Sequence, residues 1–494
     1  MNSESSFFNE NKSSFNKSKK NEFKLRRLKF IIKLILLLFI ILLKHYKIYI
    51  LKKFIKVRPD NNDYCDNLDP IKLFNLRLEN EPITICQNNK SKHICYHNIN
   101  GYYNDIFYNK DGVICKMENI VLDSSKSNNT NIIYKGPVDN IYRGSPILSK
   151  GFLNMECKNN QDLKNYSYFY ESYFNSWNYS YQKSEEIEEL APGKTIFFIS
   201  RNQDSPNIFH GTSELVNAIS IMDLFDLNPE NIQIIFLESM TFNNDPFYDL
   251  YRNIVSRGGE PIYIKNLKKK YHISSAFHIP INWDSGAFIT NNFHNCKYST
   301  KVYKLLNDLV KKYMKIPEFK DTFISDNNTY YYPKSVIENY KSNIFFYKTV
   351  TIQWRKVWPK GRIGQSRILA NGQELADKLA SILPKNILIR LVDTAGLPIT
   401  EQISIMRKTD YLVGIHGAGL CLSVFMPYKS ILHEITSKKE ISVVALMSAL
   451  SGHITYSDLI RNKMNINDGN ENIIFEPNIF VKRVLIHMIQ NNFL

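Results

Sequence analysis

The segment Tyr411-Leu-Val-Gly-Ile-His-Gly-Ala-Gly-Leu420 is the stretch from which the fold of this chain is inferred. Its apolar first half predicts a buried strand, and Gly417 and Gly419 permit a tight turn with close approach of the backbone to a ligand. A short helix is predicted from Leu420 to Met426. A strand, a turn and a helix N-terminus in this order direct backbone N–H groups at one point, which is typical of a phosphate or diphosphate site.

Alternating strand and helix patterns extend on both sides of this segment. The first series has strands at 195–200, 232–237 and 261–264 and helices at 214–225, 246–257 and 300–314. The second series has strands at 349–352, 387–392, 411–414 and 431–435, and helices that begin at 371, 399 and 420. This alternation is typical of parallel sheets covered on both faces, so it predicts an α/β fold with two Rossmann-like domains facing a cleft.

The chain is expected to contain five segments. They are a tail at 1–28, a transmembrane signal anchor at 29–50, an irregular cysteine-containing stem at 51–190, an N-terminal Rossmann-like domain at 191–340 and a C-terminal Rossmann-like domain at 341–494.

The formal net charge of +16 arises mainly from the N-terminal segment. Residues 1–58 hold 15 of the 63 Lys and Arg residues but only three of the 47 acidic residues. The remaining chain is therefore close to neutral. The sequence contains no basic helical stretch interleaved with aromatic side chains, so nucleic acid is not an expected partner.

The same N-terminal segment contains the apolar run 34–43. With its flanking residues it predicts a membrane-spanning helix from about Lys29 to Ile50. Nine Lys and Arg residues lie at 12–33 and six at 44–58, an excess that favours a cytosolic N-terminus and a lumenal bulk. Two alternatives are an interfacial amphipathic helix and a cleaved signal peptide, although no A-x-A-like cleavage site follows.

Cysteines and sequons agree with a lumenal location. Six cysteines precede Cys421 and can form up to three disulfides in an oxidising compartment, with the pairing left open. No C-x-x-C pair occurs, so no zinc or other metal site is expected. The N-x-S/T sequons beyond the predicted anchor are at Asn89, Asn128, Asn165, Asn178 and Asn327.

Several motifs follow one another in the order found in one enzyme family. The stretch 409–420, Phe425-Met-Pro427 and His433-Glu-Ile435 resemble the signature of glycosyltransferase family 61, which includes plant β-1,2-xylosyltransferases and animal EGF-domain and O-mannose N-acetylglucosaminyltransferases. Upstream, 349–355 and 366–371 resemble the strand–Arg and Arg-Ile-Leu-Asn elements of this family, and 207–210 its His-containing segment. The similarity covers about residues 195–440 and is strongest from 349 to 435.

This chain also departs from the family pattern at three places. Cys421 stands where Thr is more frequent, and the spacer between Arg355 and Arg367 is longer than in the family. The residues Gly211-Thr-Ser213 are smaller than the usual ones.

The resemblance implies a GT-B architecture and an inverting transfer from a UDP-sugar, carrying xylose or N-acetylglucosamine, to a hydroxyl of a glycan or glycoprotein. Together with the predicted anchor and its flanking charges, this function indicates a single-pass type II protein of the Golgi or endoplasmic reticulum membrane. The sequence contains no D-x-D motif, so we expect no metal cofactor. Arginines and a helix N-terminus would then stabilise the departing diphosphate.

The candidate residues for this donor site come from the matching motifs. They are Arg355, Arg367, His416, Gly417, Ala418, Gly419 and Glu434. Glu434 is expected to accept hydrogen bonds from the ribose hydroxyls, although a solvated acid at the end of a strand is an equal alternative.

An inverting transfer also needs a base that takes the proton of the acceptor hydroxyl. We expect Glu214 to be this base, with His210 one helical turn before it as its neighbour, although each can also be an ordinary residue of a helix N-terminus.

Two other classes of protein compete with this interpretation. One is a catalytically inactive, membrane-tethered glycan-binding or scaffold protein of the same fold. The other is an NAD-dependent enzyme, which is disfavoured because Leu422 stands where the third Gly of G-x-G-x-x-G is required.

Overall fold

The computed structural model describes residues 71, 82–96, 114–128, 147–158, 176–179, 181, 186–200, 208–237, 247–279, 299–326, 329–354, 367–436, 443–459, 464–467 and 470–494. The predicted tail at 1–28 and the predicted anchor at 29–50 lie outside these residues. Among the residues that are described, no helix combines the length and the apolar character needed to cross a membrane.

The chain divides into two compact units. One is Pro59–Val481, which contains every sheet and every candidate site residue. The other combines Met1–Arg58 with Lys482–Leu494, and its described part is the C-terminal end of the chain.

Strands and helices alternate along most of the larger unit. The strands are β1 Ile83–Gln87, β2 Lys92–Tyr96, β3 Ile114–Asp123, β4 Ser127–Asn128, β5 Ile147–Leu148, β6 Leu153–Met155, β7 Trp177–Tyr179, β8 Thr195–Ile199, β9 Ile232–Phe236, β10 Ile262–Tyr263, β11 Lys270–Ile279, β12 Tyr330–Tyr331, β13 Lys348–Gln353, β14 Arg367–Leu369, β15 Ile387–Val392, β16 Tyr411–Ile415, β17 Ile431–Thr436, β18 Ile454–Leu459, β19 Met464–Asn467 and β20 Asn470–Ile473. The α-helices are α1 Ile208–Leu224, α2 Tyr248–Leu250, α3 Lys301–Tyr313, α4 Lys334–Lys341, α5 Gly372–Ala380, α6 Ile399–Arg407, α7 Val443–Leu450 and α8 Pro477–Gln490. A π-helix at Tyr251–Val255 continues α2, and 3₁₀ helices span Ser124–Lys126, Pro229–Asn231, Ile264–Asn266 and Ala418–Phe425.

The sheet that contains the Tyr411–Leu420 segment has the strand order β12-β15-β13-β16-β17-β18. All its neighbouring strands are parallel except β12, which pairs antiparallel at the edge. Counted along the chain, the parallel strands follow the doubly wound order 2-1-3-4-5. The strand order reverses between β13 and β16, which makes this the topological switch point of the sheet.

The other large sheet has nine strands and the path β1-β2-β3-β11-β8-β9-β10, with β6 paired to β3 and β7 paired to β6. Its parallel part, read from β10 to β11, follows the order 3-2-1-4 of a Rossmann half, and its switch point lies between β8 and β11. The expected mixed α/β fold is therefore confirmed.

Part of the segment that was expected to be an irregular stem, 51–190, belongs to this sheet. β1, β2, β3, β6 and β7 all come from it, and β3 pairs antiparallel with β11 from Lys270↔Asp123 to His278↔Cys115. Most residues of β3 are buried on both faces, so its sequence lacks the polar–apolar alternation by which a strand is recognised. Two disulfides, Cys86–Cys157 and Cys95–Cys115, tie these strands together.

Some elements have the bounds that the sequence predicted, whereas the helix predicted at 246–257 is α2 followed by a π-helix. β15 and α6 agree to the residue, whereas α1 begins at Ile208 rather than at Glu214. Nearly every residue of α1 is buried, so the helix lacks the amphipathic pattern that would mark its first turn.

The two large sheets share one hydrophobic core. A single cluster includes Phe197 and Ile234 of the first sheet together with Leu412 and Leu432 of the second sheet. The predicted boundary at residue 340 falls inside α4, and β12, which precedes it, pairs with β15 of the second sheet.

A buried guanidinium stabilises the second sheet. The Arg390 side chain on β15 is fully buried and donates from Nη1 to both carboxylate oxygens of Asp321 at 3.0 Å. Its Nε donates to Thr351 Oγ1 at 3.0 Å and its Nη2 to the carbonyl of Ile405 at 2.9 Å. The charge of Arg390 therefore connects β13, β15 and the end of α6 to the segment that precedes β12.

Removing the partner of this guanidinium is expected to be costly. In Asp321→Asn, the buried Arg390 loses its counter-charge, and we expect unfolding to become easier by about 3–5 kcal/mol, measured as a shift in the urea midpoint. Glu318→Gln is the matched control, because Glu318 forms an exposed pair with Lys408 and its loss should leave the midpoint unchanged. Equal shifts for the two variants would contradict this role of Arg390.

The first sheet contains two buried imidazoles. Burial, followed by the proximity of His278, lowers the pKa of His93 to about 3, and burial lowers the pKa of His278 to about 3. His93 lies edge-on against Trp177, with its Nδ1 3.2 Å from the hydroxyl of Tyr179. Both imidazoles are neutral in the folded chain, whereas an unfolded chain protonates them below pH 6.5.

The folded chain should therefore become less stable as the pH is lowered. The contribution of the two neutral imidazoles to the free energy of unfolding is complete above pH 6.5. It decreases as the pH falls from 6.5 towards 3, by about 1.4 kcal/mol per pH unit for each imidazole. His278→Leu removes one of the two titrations, so its urea midpoint should fall less between pH 7 and pH 5 than that of the unaltered chain. Parallel pH profiles for the two proteins would refute this assignment.

Candidate functional site

The carboxyl ends of β13 and β16 meet at the switch point of the second sheet. In doubly wound sheets, ligands bind in the crevice outside the carboxyl ends of the strands at this point. At this point Gln353 is the last residue of β13, and His416 directly follows β16. The topology therefore places the Tyr411–Leu420 segment where a ligand is expected.

A hydrogen-bonded pair occupies the end of β16. The Nδ1 atom of His416 lies 2.5 Å from Oε1 of Glu434 on β17, and the Ser457 hydroxyl on β18 donates to Oε2 of the same carboxylate at 3.2 Å. Glu434 is fully buried, whereas the His416 side chain is 30% exposed. The imidazole therefore faces solvent with a fixed carboxylate behind it.

The register of the sheet explains why these side chains meet. Gly414, Glu434 and Ser457 are aligned across β16, β17 and β18, so Glu434 and Ser457 lie on the same face of the sheet. The backbone N–H of His416 donates to the carbonyl of Ile435 at 2.7 Å and continues the pairing beyond the strand. A Cβ atom at position 414 would lie 3.0 Å from Cβ of Gln353, so the crowded strand end favours glycine.

The residues after His416 form a 3₁₀ helix, Ala418–Phe425, which begins two residues before the short helix predicted at Leu420–Met426. Gly417 is its N-cap and accepts the N–H of Leu420 at 3.0 Å. The first N–H groups of a helix have no acceptor within the helix, so they are suited to an anion. Gly419 lies so close to the Gln353 amide that any side chain at 419 would displace it.

Gln353 is a residue of this site to which the sequence analysis gave no role. Its amide Nε2 donates to Thr394 Oγ1 at 3.2 Å, which joins the end of β13 to the loop after β15. Its position at the end of a predicted parallel strand was the available signal, since such ends form the ligand edge of the sheet.

Cys421 lies close to the same carboxylate. It is fully buried, and burial together with the nearby charge of Glu434 raises the pKa of its thiol well above the ordinary value. The departure of this residue from the family pattern therefore places a neutral thiol in the buried surroundings of Glu434.

Of the two predicted arginines, only the backbone of Arg367 belongs to the described residues. Arg355 lies outside the described residues. Arg367 begins β14, which pairs with β20 and lies beside β16, whereas its side chain is also outside the described part. Their roles at the donor site stay predictions.

The role that was expected for Glu434 does not fit its surroundings. Its carboxylate is fully buried, and His416 and Ser457 occupy one oxygen each. A ribose hydroxyl would have to displace one of these partners. The geometry instead makes Glu434 the residue that orients His416.

His210 and Glu214 lie on α1, which follows the switch-point strand β8 and packs against the 3₁₀ helix Ala418–Phe425. His210 is half-buried, whereas Glu214 is only 1% exposed. A base must reach the acceptor hydroxyl, so the burial of Glu214 argues against the role that was predicted for it and leaves His210 as the more accessible of the two.

A second hydrogen-bonded group lies on the opposite face of β17. His433 Nε2 is 2.8 Å from Oδ2 of Asp458, and its Nδ1 is 3.1 Å from the hydroxyl of Tyr411. Successive residues of a strand point to opposite faces, so His433 and Glu434 cannot belong to the same site. In the sequence, His433 is noticeable only as part of the motif His433-Glu-Ile435.

One cluster of possible metal ligands exists in the described part of the chain, and it consists of His93, Cys95 and Cys115. Cys95 and Cys115 form a disulfide, and a disulfide sulfur is not the thiolate that zinc requires. This cluster is also in the first sheet, away from His416.

The small residues at the start of α1 have a structural reason that can be tested. A Cβ atom at Gly211 would lie 2.6–2.7 Å from ring carbons of Phe247, which is fully buried. Gly211→Ala should therefore lower the urea midpoint by the equivalent of about 1–3 kcal/mol. Gly396→Ala is the control, because apart from its chain neighbours no atom of the described residues lies within 4 Å of a Cβ built there. Equal stability of both variants would show that α1 tolerates the added methyl group.

One family of known proteins matches this part of the chain. The family model described as Glycosyltransferase 61 matches residues 261–432, a range that begins before β10 and ends within β17. The match contains the switch point, His416 and the Gly417–Gly419 turn, and it confirms the resemblance that the motifs indicated. No curated protein matches the chain. Residues 261–432 thus match glycosyltransferase family 61, which supports the assignment of this chain to that family.

Proposed function

We propose that this chain is an inverting glycosyltransferase that moves xylose or N-acetylglucosamine from a UDP-sugar to a hydroxyl of a glycan or glycoprotein. The observation that carries the proposal is the His416–Glu434 pair at the switch point of the second sheet. The family domain supports a transferase of sugars, and the pair supplies a chemical means of stabilising the departing nucleoside diphosphate.

The chemistry of the pair suits a departing diphosphate. A protonated His416 would donate from Nδ1 to the Glu434 carboxylate and present its Nε2–H to a phosphate oxygen. Glu434 would stabilise the imidazolium and hold its ring in place, as the carboxylate of a catalytic triad does. The N-terminus of the 3₁₀ helix, from Gly417 to Gly419, would add backbone donors to the same anion.

Acceptor activation would come from the first sheet. We assign the base to His210, at the start of α1, with Glu214 one turn later on the same side of the helix as its neighbour. This reverses the roles that the sequence analysis had given them, because Glu214 is buried. The proposed architecture is GT-B, with the acceptor side at the carboxyl edge of the first sheet and the donor side at that of the second.

We place this activity in the Golgi or endoplasmic reticulum, with residues 29–50 as a type II membrane anchor. The disulfides Cys86–Cys157 and Cys95–Cys115 support an oxidising compartment. No metal is assigned a role, since His416 and the helix N-terminus would supply the positive charge.

The test is UDP release by the purified full-length chain, measured with a panel of UDP-sugars, with and without glycan acceptors. We expect turnover with UDP-xylose or UDP-N-acetylglucosamine. His416→Ala should lower kcat/KM by about 100- to 1,000-fold, and Glu434→Gln by at least about tenfold, since the imidazolium then lacks its counter-charge.

Glu338→Gln is the matched carboxylate control, because Glu338 is exposed on α4 and pairs only with Lys334 at 4.0 Å among the described ion pairs. It should keep full activity. Absence of turnover with every UDP-sugar, or full activity of His416→Ala, would overturn the proposal.

A further inference from the structure

A cavity of about 290 Å³ lies on the first sheet, and the proposed transfer does not use it. Its walls include Lys90 and Ser91 from the turn between β1 and β2, Asn119 from β3, Tyr181 from the segment after β7, and His272 from β11. Volumes near 300 Å³ stand at the lower end of small-molecule sites. We infer that this cavity binds a neutral saccharide unit of the acceptor glycan, at a subsite separate from the transfer site.

The cavity is at the opposite edge of the first sheet from the predicted acceptor side. His272 lies near the start of β11, and Ile279 ends the strand at the carboxyl edge. At roughly 3.3 Å per residue, the seven steps from His272 to Ile279 span about 23 Å. A ligand in the cavity therefore occupies a place distinct from the carboxyl ends of β8 and β11.

The charge of the cavity favours a neutral ligand. The ammonium of Lys90 lies 3.3 Å from a carboxylate oxygen of Glu156, which also lines the cavity. An anion would meet Glu156, and a cation would meet Lys90. The two charges are balanced, so a hydroxyl-rich neutral ligand can accept from one and donate to the other without separating them.

The remaining lining suits a sugar ring. Asn119 and His272 provide amide and imidazole groups, and Tyr181 provides an aromatic ring with a hydroxyl. A pyranose has C–H faces that pack on an aromatic ring and hydroxyls that bond to amides, which is the mixed chemistry that these side chains offer.

The walls are held in place before any ligand binds. The Ser91 hydroxyl donates to the carbonyl of Asn119 at 2.8 Å and accepts the N–H of Glu156 at 3.2 Å, so it joins three walls. The Asn88 side chain accepts the N–H of Lys90 at 2.8 Å and fixes the turn. The disulfide of Cys157, next to Glu156, with Cys86 anchors the same rim. A preformed site spends little of its binding energy on ordering.

The backbone of Asn119 has a positive φ, which few residues other than glycine adopt. Its φ is 54°, in the left-handed region that glycine and Asn tolerate best. Asn119→Gly therefore removes the amide and keeps the backbone. Asn343→Gly is a matched control, since Asn343 has φ 57° in the turn after α4 and does not line the cavity.

The experiment is saturation-transfer NMR on the full-length chain with methyl β-N-acetylglucosaminide and methyl α-mannoside as probes, each measured with and without saturating UDP. We expect saturation transfer to at least one probe. It should be lost in Asn119→Gly and in Tyr181→Ala and retained in Asn343→Gly, with melting temperatures confirming that each variant is folded. Competition by UDP, or equal signals in all variants, would overturn the inference.

The assignment of the ligand to the acceptor rests on the proposed function, and the two can fail separately. Saccharide binding without turnover of any UDP-sugar would overturn the transferase proposal and its acceptor role, while the binding site stands. Turnover without saccharide binding would overturn the inference alone.

Discussion

A fully buried carboxylate needs hydrogen-bond partners, and the carboxylate of Glu434 in the candidate site is fully buried. Its oxygens are bound by His416 and Ser457, which lie beside it because β16, β17 and β18 are parallel and in register. The hydrogen bonds with His416 and Ser457 offset the cost of burying the charge. They also fix the imidazole of His416 at the switch point. If the carboxylate moved, His416 would lose the hydrogen bond that orients its imidazole beside the Gly417–Gly419 turn.

The same strand carries a second titratable group on its other face. His433 bonds to Asp458 and Tyr411 and stacks on Phe480, with the ring centroids 6.4 Å apart. Two adjacent residues of β17 therefore hold hydrogen-bonded networks on both faces of the sheet. Such networks specify register, because a shift of one residue would exchange the two faces and leave both carboxylates without their imidazoles.

How much could be predicted from the sequence depended on the range of each signal. The apolar runs of β15 and the helix α6 are local, so their bounds were predicted correctly. The site required more, because the contact between His416 and Glu434 depends on strand register, which no local pattern encodes. Ser457 was missed since β18 was not recognised as a strand, and the antiparallel pairing of β3 with β11 joins residues that are far apart along the chain.

The burial of Glu214 also has a cause at this level. The helix α1 lies between two layers, with Phe247 against Gly211 on one side and the 3₁₀ helix that follows His416 on the other. A helix buried on all sides exposes only its ends, so the part of α1 that can meet an acceptor is its first turn, which carries His210. The packing that joins the two sheets thus favours His210 over the buried Glu214 as the base. In the proposed transfer, the donor and the acceptor would meet at the carboxyl ends of the parallel strands of the two sheets, where ligands bind in such folds.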